Sequence, residues 1–259
     1  MTPVTNIPDL AFENVSFSYE QNGKQICLFN SLSLHVNHGE FLSILGPSGV
    51  GKSTFFRLAA GLEQPDSGDI LIRGKPVQPG ETGYMPQEDL LMSWRTVLEN
   101  GLLPLEIQGV NRRQAKEEIR TLLTQFGLGG TEDRYPHELS GGMRQRVSFL
   151  RAIAGGKRLL LLDEPFSALD SITRFHMQAW LLKQWQSLER TIVFITHDIE
   201  EALFLSDRIV LMTGRSGTDA IRHIDVPIPR PRTDAHRRDE AFLNLKTALL
   251  NDLRNGGDA

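Results

Sequence analysis

Apolar residues recur on alternate positions over 11–19 (Phe12, Val15, Phe17) and over 31–36 (Leu32, Leu34, Val36). That period of two predicts half-buried antiparallel strands. Gln21-Asn22-Gly23-Lys24 supplies the turn between them, since asparagine and glycine tolerate the backbone angles of tight turns. Phe41-Leu42-Ser43-Ile44-Leu45 is almost wholly apolar and runs directly into a glycine loop, after which residues 55–60 favour helix. Such a run reads as a strand buried on both faces. Further strands are predicted over 69–73, after a Pro-Asp-Ser-Gly turn, and over 82–85.

From Val97 the period becomes helical. Ala115, Ile119, Leu122, Leu123 and Phe126 fall at i, i+4, i+7, i+8 and i+11 and share one stripe. Residues 94–154 read as an inserted helical subdomain, ended by a buried strand over 158–163. Helix 172–188, strand 191–196, helix 199–205 and strand 208–212 then alternate, as in a parallel sheet with helices on its faces. The predicted fold is α/β: a mostly parallel core, an N-terminal antiparallel β-subdomain and the helical insertion. One domain is expected over 1–232, with a short helical tail over 233–259 in which Phe242, Leu245, Leu249 and Leu253 keep helical spacing. Val226-Pro227-Ile228-Pro229-Arg230-Pro231-Arg232 between them holds too many prolines for a central strand.

Charge and cysteine content narrow the function. With 28 basic against 32 acidic residues, a net charge of −4 and no basic run, a nucleic-acid partner is disfavoured. Cys27 is the one cysteine, which excludes an intrachain disulfide and fits a reducing compartment; it is expected to pack as a small apolar residue. Residues 1–9 lack the basic and apolar regions of a secretory leader. No stretch reaches the roughly 18 apolar residues of a membrane span, so a cytosolic chain is expected whose membrane role comes through a partner.

Three segments carry phosphate chemistry. Gly46-Pro47-Ser48-Gly49-Val50-Gly51-Lys52-Ser53-Thr54 satisfies G-x-x-x-x-G-K-[ST] between a predicted strand and helix. In that motif backbone N–H groups cradle phosphates, the lysine reaches the terminal phosphates and the hydroxyl of Ser53 can ligate Mg²⁺. Leu159-Leu160-Leu161-Leu162-Asp163-Glu164-Pro165 ends a buried strand in two carboxylates, at the strand end where open α/β sheets bind ligands. Asp163 is the expected metal-holding acid and Glu164 the base that polarises the attacking water. Leu139-Ser140-Gly141-Gly142-Met143-Arg144-Gln145-Arg146 runs into a helix-compatible stretch, and its start reads as a capping serine with N–H groups turned toward an anion. Together they predict an ATPase on a P-loop NTPase core.

These segments, with Ser167-Ala168-Leu169-Asp170, resemble the ATP-binding cassette (ABC) family of ATPases over about residues 10–225. The resemblance implies that Tyr19 stacks on adenine, that Gln87 contacts Mg²⁺ and senses a membrane partner, and that His197 is the switch histidine at the γ-phosphate. It implies ATP and Mg²⁺ as cofactors and a head-to-tail homodimer. In that dimer Ser140, Gly141 and Gly142 of one copy close over ATP held by the phosphate loop of the other, and Asp170 meets the opposite subunit. Leu90-Leu91-Met92-Ser93-Trp94-Arg95-Thr96-Val97-Leu98-Glu99-Asn100 and the proline–arginine segment resemble the importer subunits for nitrate, sulfonate, taurine and pyrimidine precursors. Where the family usually has a proline before the buried strand, this chain has Gly155-Gly156-Lys157-Arg158.

The implied partners are an integral-membrane permease and, indirectly, a solute-binding protein, with the chain peripheral at the cytoplasmic face. The alternative is a soluble ABC ATPase of an iron–sulphur assembly system, which the Leu-Leu-Met-Ser-Trp segment fits less well. A DNA-repair type would need long coiled coils between Lys52 and Ser140, and an ATP sensor without turnover would lack Glu164 or His197.

Overall fold

A computed structural model describes residues 7–21, 23–188, 190–213 and 221–256. Asn22 of the predicted turn and residues 1–6 of the N-terminal reading lie outside them. In chain order the elements are β1 (Leu10–Gln21), β2 (Lys24–Val36), β3 (Phe41–Leu45), α1 (Lys52–Ala59), β4 (Ser67–Ile72), β5 (Lys75–Pro76), β6 (Gly83–Met85), α2 (Val97–Ile107), α3 (Arg112–Gln125), α4 (Gly141–Ala154), β7 (Leu159–Asp163), α5 (Ser171–Leu188), β8 (Thr191–Ile195), α6 (Ile199–Leu205), β9 (Arg208–Met212), β10 (Ile221–Asp225) and α7 (Glu240–Gly256). The chain forms two compact units, one from residues 1–81 with 189–259 and one from residues 82–188.

In the first unit β1 and β2 form the predicted antiparallel hairpin, extended by β4 and β5 in the order β2-β1-β4-β5. The alternation slips because the β1–β2 register shifts between Phe12 and Val15 and again on either side of Phe17. Such bulges flip the phase of the buried face, and Asn14 takes a left-handed backbone at one of them (φ 51°). Phe12 is fully buried and its ring stacks on Phe55 of α1 with centroids 4.3 Å apart. Cys27 corrects an expectation: it is exposed. It sits toward the turn end of the hairpin, and its thiol reaches the carbonyl of Phe29 at 3.3 Å.

Every residue of β3 is buried. It pairs in parallel with β8 on one side and β9 on the other, which is why its sequence is apolar without alternation. β10 returns antiparallel to β9. Sequence reasoning did not find this strand, because Arg222, His223 and Asp225 face solvent and leave little apolar signal. The predicted C-terminal helix exists as α7 but runs to 17 residues.

In the second unit β6 and β7 pair in parallel, and α4 lies against β6 so closely that a side chain at Gly83 would come within 2.4 Å of the Ala152 carbonyl. The predicted α3 stripe is real: Ala115, Ile119, Leu123 and Phe126 are buried. Phe126 and Phe149 meet Trp180 of α5 edge to face, with centroids 4.6 and 6.1 Å apart. These aromatic contacts seat α4, and with it the glycines at its start. Among the described residues no helix is long and apolar enough to cross a membrane.

Candidate functional site

The phosphate loop begins where β3 ends. Gly46 must be glycine, since a Cβ there would lie 2.5 Å from the carbonyl of Met212 at the end of β9. Gly51 is left-handed (φ 103°) and forms the N-cap of α1 without a side-chain partner. Glycine at the N-cap offers the first N–H groups of α1 no capping side chain of its own, and the helix end favours an anion. Lys52 is 8% exposed, and its Nζ donates to the carbonyls of Gly46 and Pro47, each at 2.8 Å. The ammonium thus ties the loop into a ring around the position a phosphate takes in this motif. Pro47, Ser48 and Gly49 are exposed and Val50, Ser53 and Thr54 half-buried.

The same end of the sheet carries His197. The parallel register Ile44↔Ile195 sets the exits of β3 and β8 side by side, so His197, exposed at the end of β8, stands on the edge from which the phosphate loop leaves. Its backbone is held from both sides. Thr196 Oγ1 donates to the buried carboxylate of Glu201 at 2.7 Å and accepts from Asp198 N at 3.0 Å. Asp198 caps α6 by accepting from Glu200 N and Glu201 N at 2.8 and 3.2 Å. Tyr19 is 39% exposed near the turn end of β1, which leaves a ring face open to solvent.

The carboxylates lie in the second unit. Asp163 ends β7 and is buried. Glu164 follows in a left-handed backbone (φ 48°), a conformation that costs a non-glycine residue roughly 1–3 kcal/mol and persists only where neighbours impose it. Gln145 of α4 imposes it. Its Nε2 donates to the Glu164 carbonyl at 2.9 Å and to Ser167 Oγ at 2.9 Å, while its Oε1 accepts from Ala168 N at 2.9 Å. Gln145 lies in the 139–146 segment that the sequence singles out, but its role did not follow from sequence, since only through-space contact shows which carbonyl it meets.

Ser140 caps α4 as predicted, its Oγ accepting from Met143 N at 3.3 Å. Ser140 and Gly141 are exposed and Gly142 half-buried. A Cβ on Gly142 would lie 3.0 Å from the Ala168 carbonyl, so this glycine lets the helix start pack on the Ser167–Asp170 turn. Asp170 is exposed and caps α5, accepting from Ile172 N and Thr173 N at 3.1 and 3.0 Å. Those N–H groups hold its carboxyl below the usual carboxylate range.

Gln87 is exposed, and the chain after it is gripped by α4. Arg144 Nε pairs with Asp89 Oδ2 at 3.0 Å, and Arg151 donates to the carbonyls of Asp89 and Leu90 at 2.9 and 2.8 Å. Leu90 is left-handed (φ 44°). Leu90 and Trp94 are 60% and 73% exposed, while Asn100 of α2 ties the segment from behind through Met92 N, Met92 O and Arg95 O. Ser53 in the first unit, and Asp163 and Gln87 in the second, each carry a hard oxygen of the kind that suits Mg²⁺. Among the described residues no group of three or more His, Cys, Asp or Glu could hold a metal ion.

The family model described as "ABC transporter" matches residues 29–167. The formylaminopyrimidine import ATP-binding protein of Halalkalibacterium halodurans is 50% identical over 206 residues, 80% of each chain. The aliphatic sulfonates import ATP-binding protein of Rhodococcus jostii is 41% identical over 257 residues, 99% of this chain and 98% of that one. A solved dimeric ATP-binding cassette, in a post-hydrolysis state bound to ADP and phosphate, superposes with a TM-score of 0.78 at 28% identity, covering 85% of this chain and all of that one. The chain belongs to the ABC transporter family and is an ATP-binding ATPase.

Proposed function

We propose that this ABC ATPase energises an importer for a small solute of the nitrate, sulfonate, taurine or pyrimidine-precursor kind. It acts as a head-to-tail homodimer at the cytoplasmic face of the membrane, with two ATP molecules between the subunits. The observation that carries the importer reading is the exposure of Leu90 and Trp94 in the segment between Gln87 and α2. Large apolar side chains in one exposed segment mark a docking surface, and a permease loop or short helix fits it. The names of the two relatives support the solute class, and a solute-binding protein takes part only through the permease. An iron–sulphur assembly ATPase fits this segment less well.

In the chemistry proposed, Lys52 leaves the Gly46 and Pro47 carbonyls for the terminal phosphates, and the N–H groups of residues 49–54 surround them. Ser53, Asp163 and Gln87 hold Mg²⁺, which supplies charge neutralisation on the phosphate oxygens. Glu164 accepts the proton of the attacking water as oxygen bonds to the γ-phosphorus. The bond to the β–γ bridging oxygen breaks, giving ADP and phosphate. His197 donates toward the γ-phosphate, and Tyr19 stacks on the adenine. Ser140, Gly141 and Gly142 of the second copy bring the α4 N-terminus to the same phosphate, with Asp170 at the subunit boundary. ATP closes the pair and hydrolysis opens it.

Glu164→Gln tests this reading. Removing a general base costs about 10²–10⁴ in rate, so the variant should bind ATP, turn over slowly and elute as an ATP-dependent dimer on gel filtration. A monomer with normal turnover would overturn the assignment. Co-purification of a permease from detergent-solubilised native membranes, lost with Trp94→Asp, tests the importer half.

A further inference from the structure

The proline–arginine segment and α7 have no part in the chemistry above, yet they hold the helix that follows His197 at both ends. At the C-terminal end of α6, the buried guanidinium of Arg232 donates to the carbonyls of Leu203, Phe204 and Ser206 at 2.9, 3.2 and 2.6 Å. It also reaches Ile228 O and Val226 O at 3.1 and 3.3 Å. One cation thus satisfies carbonyls that a helix end otherwise leaves without partners. Arg230 pairs with Asp207 at 2.8 Å and donates to Leu205 O at 2.6 Å. Asp207 in turn accepts from Phe41 N at 3.0 Å, which fastens the turn after α6 to the start of β3.

The N-terminal end of α6 is held by the tail. Lys246 of α7 donates to Glu200 Oε1 at 2.5 Å, and Arg237 lies 3.6 Å from Glu200 Oε2 with its guanidinium 4.3 Å from the Phe204 ring centroid. Phe242 and Leu249 are buried as α7 packs on α6. Glu200 sits in the first turn, whose N–H groups are capped by Asp198, the neighbour of His197. A shift of α6 is therefore passed to His197 through Asp198 and the Thr196–Glu201 hydrogen bond.

We infer that the Pro229-Arg230-Pro231-Arg232 segment and α7 form a brace that fixes the position of His197, with Arg232, Arg237 and Lys246 as positioning residues for ATP hydrolysis. The inference rests on His197 acting at the γ-phosphate. Displacing a catalytic group by about an ångström can cost up to 10²-fold in rate, and a loosened first turn costs part of that. The brace leaves the phosphate loop untouched, so it acts on kcat and not on KM.

The test is a double-mutant cycle on the full-length protein with Mg²⁺-ATP. Arg237→Ala combined with Lys246→Ala should lower kcat about three- to tenfold with KM within about twofold of wild type. Lys246→Arg, which keeps the cation, should retain wild-type kcat. In a His197→Ala background the same pair should change kcat less than about twofold, because the group it positions is gone. If His197→Ala is slow and the pair still lowers kcat by its full factor there, the brace is overturned while the role of His197 stands. A pair that raises KM at unchanged kcat also overturns it. His197→Ala turning over at the wild-type rate removes the role of His197 and the brace with it. Circular dichroism melts of each variant confirm that folded protein is compared.

Discussion

The side-chain amide of Gln145 donates to the main-chain carbonyl of Glu164 at 2.9 Å and accepts from Ala168 N at the same distance. One buried residue of α4 thereby sets the backbone of the proposed base and pins the turn leading to Asp170. Gln145→Ala should lower kcat about tenfold or more while ATP binding by calorimetry stays within about threefold, because the rate depends on Glu164 geometry and binding on the phosphate loop. Gln145→Glu should behave alike, since a carboxylate still accepts from Ala168 N but cannot donate to the Glu164 carbonyl. Wild-type kcat in either variant would show that Glu164 is positioned by other groups.

Lys52 is held by the carbonyls of Gly46 and Pro47. Lys52→Ala should therefore have two effects. Loss of a hydrogen bond to a charged group, about 1.5–3 kcal/mol, should weaken ATP binding at least about tenfold. Loss of the ring closure should loosen the loop even without nucleotide, read as faster amide exchange at residues 46–51. Equal ATP affinity in both forms would exclude Lys52 as the phosphate ligand.

Much of this architecture was legible in the chain. β3 and β7 announced themselves as unbroken apolar runs, α3 by its stripe and α4 by Ser140, because in each the residue pattern and the burial obey the same period. What stayed hidden depends on contacts between distant positions. Gln145, Arg144, Arg151 and Arg232 are polar residues whose sequence neighbours give no hint of the carbonyls they meet. β10 lacked an apolar face, and the exposed Cys27 failed the usual burial of free cysteine because its part of the hairpin extends past the core. Trp94 departs from the usual burial of large aromatics in the same way.

Arg232 predicts a stability effect in addition to its part in positioning His197. Burial lowers its pKa to about 10, so the cation is retained at neutral pH although desolvated. Arg232→Met would leave several carbonyls without donors, each buried unsatisfied group costing about 1–3 kcal/mol. Thermal melts should show a fall of several degrees or more, larger than for any single substitution in α7. A melt unchanged from wild type would mean that water replaces the guanidinium without loss.

The pair at the other end of α6 predicts a pH dependence. The hydrogen bond from Lys246 holds the Glu200 carboxyl below its ordinary value of 4.5. A depressed folded pKa means the unfolded chain binds the proton first. The pair's contribution is present above pH 4.5 and is lost as pH falls through the lower folded value. Lys246→Met should therefore melt below wild type at pH 7, by less than about 1 kcal/mol for so exposed a pair, and the two should converge as pH drops below the carboxylate range. A gap that persists undiminished in acid would point to packing of the lysine stem instead.

The Arg144–Asp89 pair predicts how docking reaches the ATP site. Arg144 stands one turn into α4, the helix whose N-terminus carries Ser140, Gly141 and Gly142, and it joins the segment carrying Leu90 and Trp94 at 3.0 Å. Arg151, farther along the same helix, holds the carbonyls of Asp89 and Leu90. Motion of the exposed segment under a permease would therefore be transmitted to α4 as a rigid lever. Both partners of the ion pair are about one-third exposed, so breaking it costs less than about 1 kcal/mol of stability. Asp89→Arg should accordingly fold and hydrolyse ATP at the basal rate, yet lose most of the stimulation that the wild type is expected to show in proteoliposomes with its permease. Combining it with Arg144→Asp should restore part of that stimulation by re-forming the pair in reverse. If Asp89→Arg alone keeps full stimulation, the lever runs through Arg151 only, and Arg151→Met should then abolish stimulation by itself.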